Sequence, residues 1–176
     1  MVPPAPPETH RIRQRNLPLL LLKAREQVMA HFRPILNHFG VTEQQWRVIR
    51  ALDEAGELEP WQISEAAQIV GPSLTGVLAR MEEMGLVERR RSTADQRRLL
   101  VRQTPAATAL VAEMAPLVEA QYRNLREGLD PVLVDQLFEA LDRLLAAADR
   151  PVERVALPGA GTDTARRGRR GRLPAT

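Results

Sequence analysis

A mainly α fold with a small β-hairpin is what the sequence predicts, and three observations predict it. Apolar residues recur at three- and four-residue spacing through most of residues 17–148, the period of an amphipathic helix. Glycine or proline marks the breaks in that pattern, at Gly40, Gly56, Pro60, Gly71, Gly85, Pro105, Gly128 and Pro131,. Between Leu86 and Gln103 the pattern changes to two short apolar segments around a polar turn, which reads as a hairpin,. The core order is therefore helix, helix, helix, hairpin, with a helix before it and two after it. That is a winged helix-turn-helix carrying N- and C-terminal dimerisation helices.

Residues 1–16, with PPAPP at Pro3 to Pro7, read as a disordered arm,. The first helix starts at Leu17, its stripe running through Leu20, Leu21, Ala24, Val28, Phe32, Ile35 and Leu36. Pro34 should bend or restart it, and Gly40 should stop it. Thr42 and Gln45 form a capping box for the second helix, which buries Trp46, Ile49 and Leu52 and ends at Gly56,. Pro60 suits the first turn of a short third helix to about Ala67. The fourth starts at Gly71-Pro72-Ser73, faces Leu74, Val77, Leu78 and Met81 inward, and ends before Gly85. Leu86 to Arg91 and Leu99 to Gln103 are the two strands, with Val87 and Leu100 or Val101 inward. Thr104-Pro105 caps a long fifth helix that Gly128 should stop. Asp130-Pro131 caps a sixth helix, lined by Leu133, Leu137, Leu141, Leu144 and Leu145 to about Ala148,. Residues 149–176 read as a disordered basic tail, leaving 17–148 as the folded domain.

Composition excludes several classes. There is no cysteine among the 176 residues, so disulfides, thiolate zinc sites and cysteine nucleophiles are out. His10, His31 and His38 are not spaced with carboxylates as a metal set, and no glycine-rich phosphate loop or serine nucleophile motif occurs,. No cofactor, metal or enzymatic activity is expected. Leu17 to Leu22 is too short to span a bilayer and no small-residue cleavage site follows it, so a cytoplasmic protein without membrane contact is expected.

Charge is distributed more tellingly than its net value of +3 suggests. Residues 1–16 set three arginines against Glu8, and residues 150–176 set seven against Glu153 and Asp163, leaving an acidic middle. Inside that middle, Glu88 to Gln103 holds six arginines against Glu88 and Asp95. A basic cluster on an acidic background places a phosphate-binding surface at one spot. The fourth helix turns Ser73, Thr75, Gly76 and Arg80 outward, small or hydroxyl residues that allow close approach to double-stranded DNA, with Arg80 in reach of a base or phosphate. Arg97 at the hairpin tip suits a minor groove. Asp95 should pair with an arginine and fix the ribbon, and Arg89, Arg90, Arg91 and Arg98 should contact phosphates. The plain alternatives are a simple cap for Ser73, helix packing for Gly76 and a solvated face for the arginines.

Pro72-Ser73-Leu74-Thr75-Gly76, Arg80-Met81-Glu82, Gly85-Leu86-Val87 and Asp95-Gln96-Arg97 resemble the multiple antibiotic resistance regulator (MarR) family. The segments HFRPIL, TEQQWR and PSLTG are similar to a narrower branch, the repressors of homoprotocatechuate (4-hydroxyphenylacetate) degradation operons. The resemblance covers about residues 17–147. It implies a homodimeric repressor on a palindromic operator, released when an aromatic acid such as 4-hydroxyphenylacetate or 3,4-dihydroxyphenylacetate binds between the dimerisation helices and the reading domain. By position, Ser73, Thr75 and Arg80 match the family's major-groove helix, and Asp95 and Arg97 its wing. Gly71 departs from the pattern, where relatives often carry a basic residue.

The residues argue separately for a dimer, because the first, fifth and sixth helices have more apolar face than one small domain covers; an intramolecular bundle is the alternative. An aromatic acid needs a cation, hydrogen-bond partners and an apolar wall. Arg25, His31 and Phe32 on the first helix and Trp46 on the second are the candidates, with Arg33 and His38 behind them. The plain readings are an interface ion pair for Arg25, a satisfied buried histidine for His31 and a core residue for Trp46. Competing classes are a repressor of another aromatic-acid or stress-response operon, and a winged-helix interaction module without a DNA role.

Overall fold

Asn16 opens the first helix, α1 (Leu17–His38), its side-chain oxygen accepting from Leu19 N at 3.0 Å. The computed structural model describes residues 14–93, 95–147, 150–155 and 157; the expected N-terminal arm and basic tail lie mostly outside them. Pro34 neither ends nor restarts α1. Pro34 is exposed, as is Ala30 four residues back, so the carbonyl that loses its amide partner there faces solvent. Gly40 then turns the chain at φ +67°, a conformation glycine adopts without a Cβ clash.

Helix α2 (Glu43–Ala55) begins with the expected capping box: Gln45 N donates to Thr42 Oγ1 at 3.2 Å, and Thr42 N donates to Gln45 Oε1 at 2.8 Å. Losing the Thr42 hydroxyl costs about 1 kcal/mol in comparable caps, so Thr42→Ala is expected to lower the thermal midpoint by about 3 °C, measured by circular dichroism. Gly56 closes α2 at φ +79°.

Strand β1 (Glu57–Leu58) was not expected from the sequence. Two residues are too short to show a period, and only pairing reveals the strand. After it come α3 (Pro60–Ala66), α4 (Gly71–Glu83), β2 (Val87–Arg91) and β3 (Leu99–Gln103). The sheet order is β1-β3-β2, antiparallel throughout, with Leu58 opposite Val101 and Arg90 opposite Leu100. The wing is thus a three-stranded sheet rather than a bare hairpin. Its inward residues, Val87 and Val101, close the core formed by Val48, Ile49, Leu52, Ile63, Leu74, Val77, Leu78 and Met81.

Helix α5 (Pro105–Leu129) is capped by Thr104, whose Oγ1 accepts from Ala107 N at 3.2 Å. Gly128 does not stop it: the helix runs through Gly128, and the break falls at Asp130, with φ +77°. The Asp130 carboxylate accepts from Val132 N at 3.0 Å, a local bond of the kind that lets aspartate hold a backbone shape other residues avoid. The chain divides here into two compact units, Met1–Leu129 and Asp130–Thr176. In the first, a smaller apolar cluster of Phe32, Val118 and Leu125 ties α1 to α5, with Trp46 against it. In the second, α6 (Pro131–Ala146) buries Val134 and exposes Leu133, Leu137, Phe138, Leu144 and Leu145. No helix among the described residues is long and apolar enough to cross a membrane.

Candidate nucleic-acid interface

The face of α4 follows from its period. With Leu74, Val77, Leu78 and Met81 buried, Ser73, Thr75 and Arg80 are left exposed and Gly76 half-buried. Ser73 does not cap the helix: the cap position is Val70, three residues earlier. Thr75 Oγ1 donates to Gly71 O at 3.3 Å, which leaves its lone pairs available to accept. A Cβ placed on Gly76 would meet nothing within 4 Å. Packing against a neighbouring helix therefore does not require glycine at position 76.

The ribbon differs more from expectation. Asp95 holds the tip through the main chain: Arg97 N donates to Asp95 Oδ1 and Arg98 N to Asp95 O, each at 3.0 Å. The expected pairing of Asp95 with an arginine side chain is thus replaced by a turn closed on the backbone. Four of the six ribbon arginines are ion-paired. Arg89 reaches Glu82 at 3.0 Å, Arg90 reaches Glu57 at 2.5 Å, Arg98 pairs with Glu59, and Arg102 pairs with Glu88. Arg91 Nη1 donates to Gln96 O at 2.8 Å. Among the described residues, Arg97 and Arg80 have no such partner. Glu57 and Glu59 come from the β1 segment, so the unforeseen strand also supplies the unforeseen anions. Two glutamates alternating around Leu58 were the available signal. Arg98's charge is reinforced first by its hydrogen bond to Glu59, raising its pKa further.

Elsewhere in the first unit, Glu43 joins two residues of α1. Arg25 Nη2 lies 2.7 Å from one carboxylate oxygen and Arg33 Nε lies 2.6 Å from the other; Arg33 also reaches Glu26 at 2.6 Å. Burial pushes the Glu43 pKa up, but the bonds from Arg33 and Arg25 outweigh it and the net shift is downward. Arg25 is accordingly paired within the chain. His31 is exposed rather than buried. Phe32 is buried and meets Tyr122 with ring centroids 4.7 Å apart, while Trp46 is half-buried beside Phe32's cluster. The structure therefore brings Phe32 and Trp46 together, with Tyr122 as an aromatic neighbour from α5.

Residues 41–99, which include α4 and most of the ribbon, match the MarR family. The chain is also 36% identical over 140 residues to the homoprotocatechuate degradative operon repressor of Escherichia coli, spanning 80% of this chain and 95% of that one. The chain belongs to the MarR family. Membership makes it a transcription regulator and not an enzyme. It is 43% identical over 109 residues to the HTH-type transcriptional regulator FarR of Neisseria gonorrhoeae, spanning 62% of this chain and 75% of that one. Among solved structures, that of NadR in complex with 4-hydroxyphenylacetate superposes with a TM-score of 0.67 at 37% identity, covering 77% of this chain and 96% of that one. The winged-helix architecture expected from the sequence is the architecture of these relatives.

Proposed function

We propose that this MarR-family regulator is a cytoplasmic repressor that binds a palindromic operator as a homodimer and leaves it when an aromatic acid binds. One observation carries the DNA half of this reading: α4 exposes Ser73, Thr75 and Arg80 on one face, and Arg97 is a ribbon-tip arginine without an ion-pair partner among the described residues. Arg80 supplies a base or phosphate contact in the major groove, and Arg97 enters the minor groove, where negative potential attracts a guanidinium. Gly76 lets the helix backbone approach closely. Asp95 keeps the tip in shape. Arg89, Arg90 and Arg98 reach phosphates only by sharing or leaving their glutamates, so their share of the binding is smaller than that of Arg97.

The dimer is supported by the apolar residues that α1 and α6 leave in solvent, among them Leu17, Leu19 and Leu22 on α1 and Leu133, Leu137 and Leu145 on α6,. The operon assignment rests on the identity to the Escherichia coli repressor and on the likeness to NadR bound to 4-hydroxyphenylacetate. Within this chain, Phe32, Trp46 and Tyr122 offer an apolar aromatic wall, and Arg25 a cation for the carboxylate once it releases Glu43; His31 stands at the exposed edge. Calorimetry with 4-hydroxyphenylacetate and 3,4-dihydroxyphenylacetate tests the ligand half. Arg25→Ala is expected to weaken binding by about tenfold, the effect of one charge-assisted contact. Equal affinities in wild type and variant would remove Arg25 from the site.

A further inference from the structure

The angle of α4 depends on the turn that joins it to α3, and that turn does not hold itself. Gln68 sits at φ +50°, a left-handed conformation unfavourable for a residue with a side chain. Local bonds restrain part of it: Gln68 Nε2 donates to Glu65 O at 2.8 Å, and Ser64 Oγ donates to Ile69 O at 2.6 Å. The carbonyls of Ala67 and Gln68 are met from another element. Arg47, on α2, donates from Nη1 to Ala67 O at 2.6 Å and to Gln68 O at 3.0 Å. A cationic donor on the last carbonyls of a helix is a favourable cap.

Arg47 is costly for a residue that merely fills space. Its Nε is buried with no hydrogen-bond partner, and an apolar side chain of similar length would pack there without that penalty. Burial, then the charge of Arg25, lowers the Arg47 pKa, while Glu43 opposes both.

We propose that Arg47 is a positioning residue for DNA reading: from α2 it fixes the α3–α4 turn, and so the angle at which α4 presents Ser73, Thr75 and Arg80, without touching DNA itself. This rests on the DNA reading given above.

The test uses the full chain and a palindromic duplex that the wild type selects from a random pool, with a shuffled duplex beside it. Arg47→Met is expected to lower the ratio of selected to shuffled affinity by about tenfold and to leave shuffled affinity within about twofold, since the charge it removes caps the turn and does not meet a phosphate,. Arg47→Lys, whose ammonium can donate to both carbonyls, is expected to recover most of the ratio. An unchanged ratio, or equal loss on both duplexes, in an Arg47→Met protein that melts cooperatively overturns the proposal, as does a lysine variant no better than methionine. Should Arg47→Met fail to fold, Arg47→Gln withdraws the charged donor from the same two carbonyls while keeping a polar side chain: a fall of about threefold in the ratio supports the proposal, and no change overturns it. A wild type that selects no duplex defeats the DNA reading instead. The hold on the turn is then read by hydrogen exchange at the Gln68 to Leu74 amides, where Arg47→Met loses protection if Arg47 fixes the turn and keeps it if it does not.

Discussion

Arg80→Ala combined with Arg97→Ala is expected to weaken binding to the selected palindromic duplex by more than about a hundredfold. The reasoning starts from what each side chain can do. Arg80 is exposed on the face of α4 opposite its buried stripe, and the Arg97 backbone is pinned by Asp95. A base-reading arginine contributes about 1–3 kcal/mol, so two on each protomer reach that factor even when they fall short of additivity. Neither residue has an ion pair to lose among the described residues, so the fold should melt at an unchanged temperature. Binding to a shuffled duplex should fall much less, and the slope of log affinity against log salt should shrink. If selected-duplex affinity barely changes while the protein stays folded, α4 and the ribbon tip are not the contact surface. Electrophoretic mobility shift or anisotropy titration reads either outcome.

A charge placed on α6 is the second large effect. Leu133, Leu137 and Leu144 lie along one stripe of that helix and are 53%, 43% and 46% exposed. An apolar side chain of this size gains about 1.5–3 kcal/mol when it is fully buried. In a two-fold interface each substitution acts twice, once per protomer. Leu137→Asp is therefore expected to convert dimer to monomer at micromolar concentration, as read by analytical ultracentrifugation. Operator affinity should fall with it by about a hundredfold or more, because a monomer loses the gain from engaging two half-sites together. A variant that remains dimeric would place the interface elsewhere, and a monomeric variant with full operator affinity would separate dimerisation from binding.

Much of the fold was legible because its signals are local. Thr42 and Gln45 announce their capping box within four residues, and Gly40, Gly56 and Gly85 all adopt the positive φ that their places after helices implied. The buried stripe of α4 could be read from its period, and its outward residues with it. What escaped was either too short or non-local. Strand β1 has two residues and exists only by pairing with β3. A helix tolerates Gly128 in its last turn, and nothing local shows that Asp130 will carry the bend instead.

The candidate interface divides the same way. The positions of Arg80 and Arg97 follow from helix period and hairpin symmetry, but the glutamates that hold Arg90 and Arg98 lie 33 and 39 residues away along the chain. Counting charge in a window therefore overstated how many ribbon arginines are free. Arg47 was invisible for a related reason: its partners are main-chain carbonyls, 20 and 21 residues ahead, and no sequence pattern marks a carbonyl as needing a donor.

Titration of the wild-type protein against its selected palindromic duplex and a shuffled duplex, at several salt concentrations, tests the central claim most directly. For a dimeric reader, selected-duplex affinity should exceed shuffled-duplex affinity by about a thousandfold, and both should fall with salt at slopes of a few phosphate contacts per protomer. Equal affinity for the two duplexes at every salt concentration would contradict it.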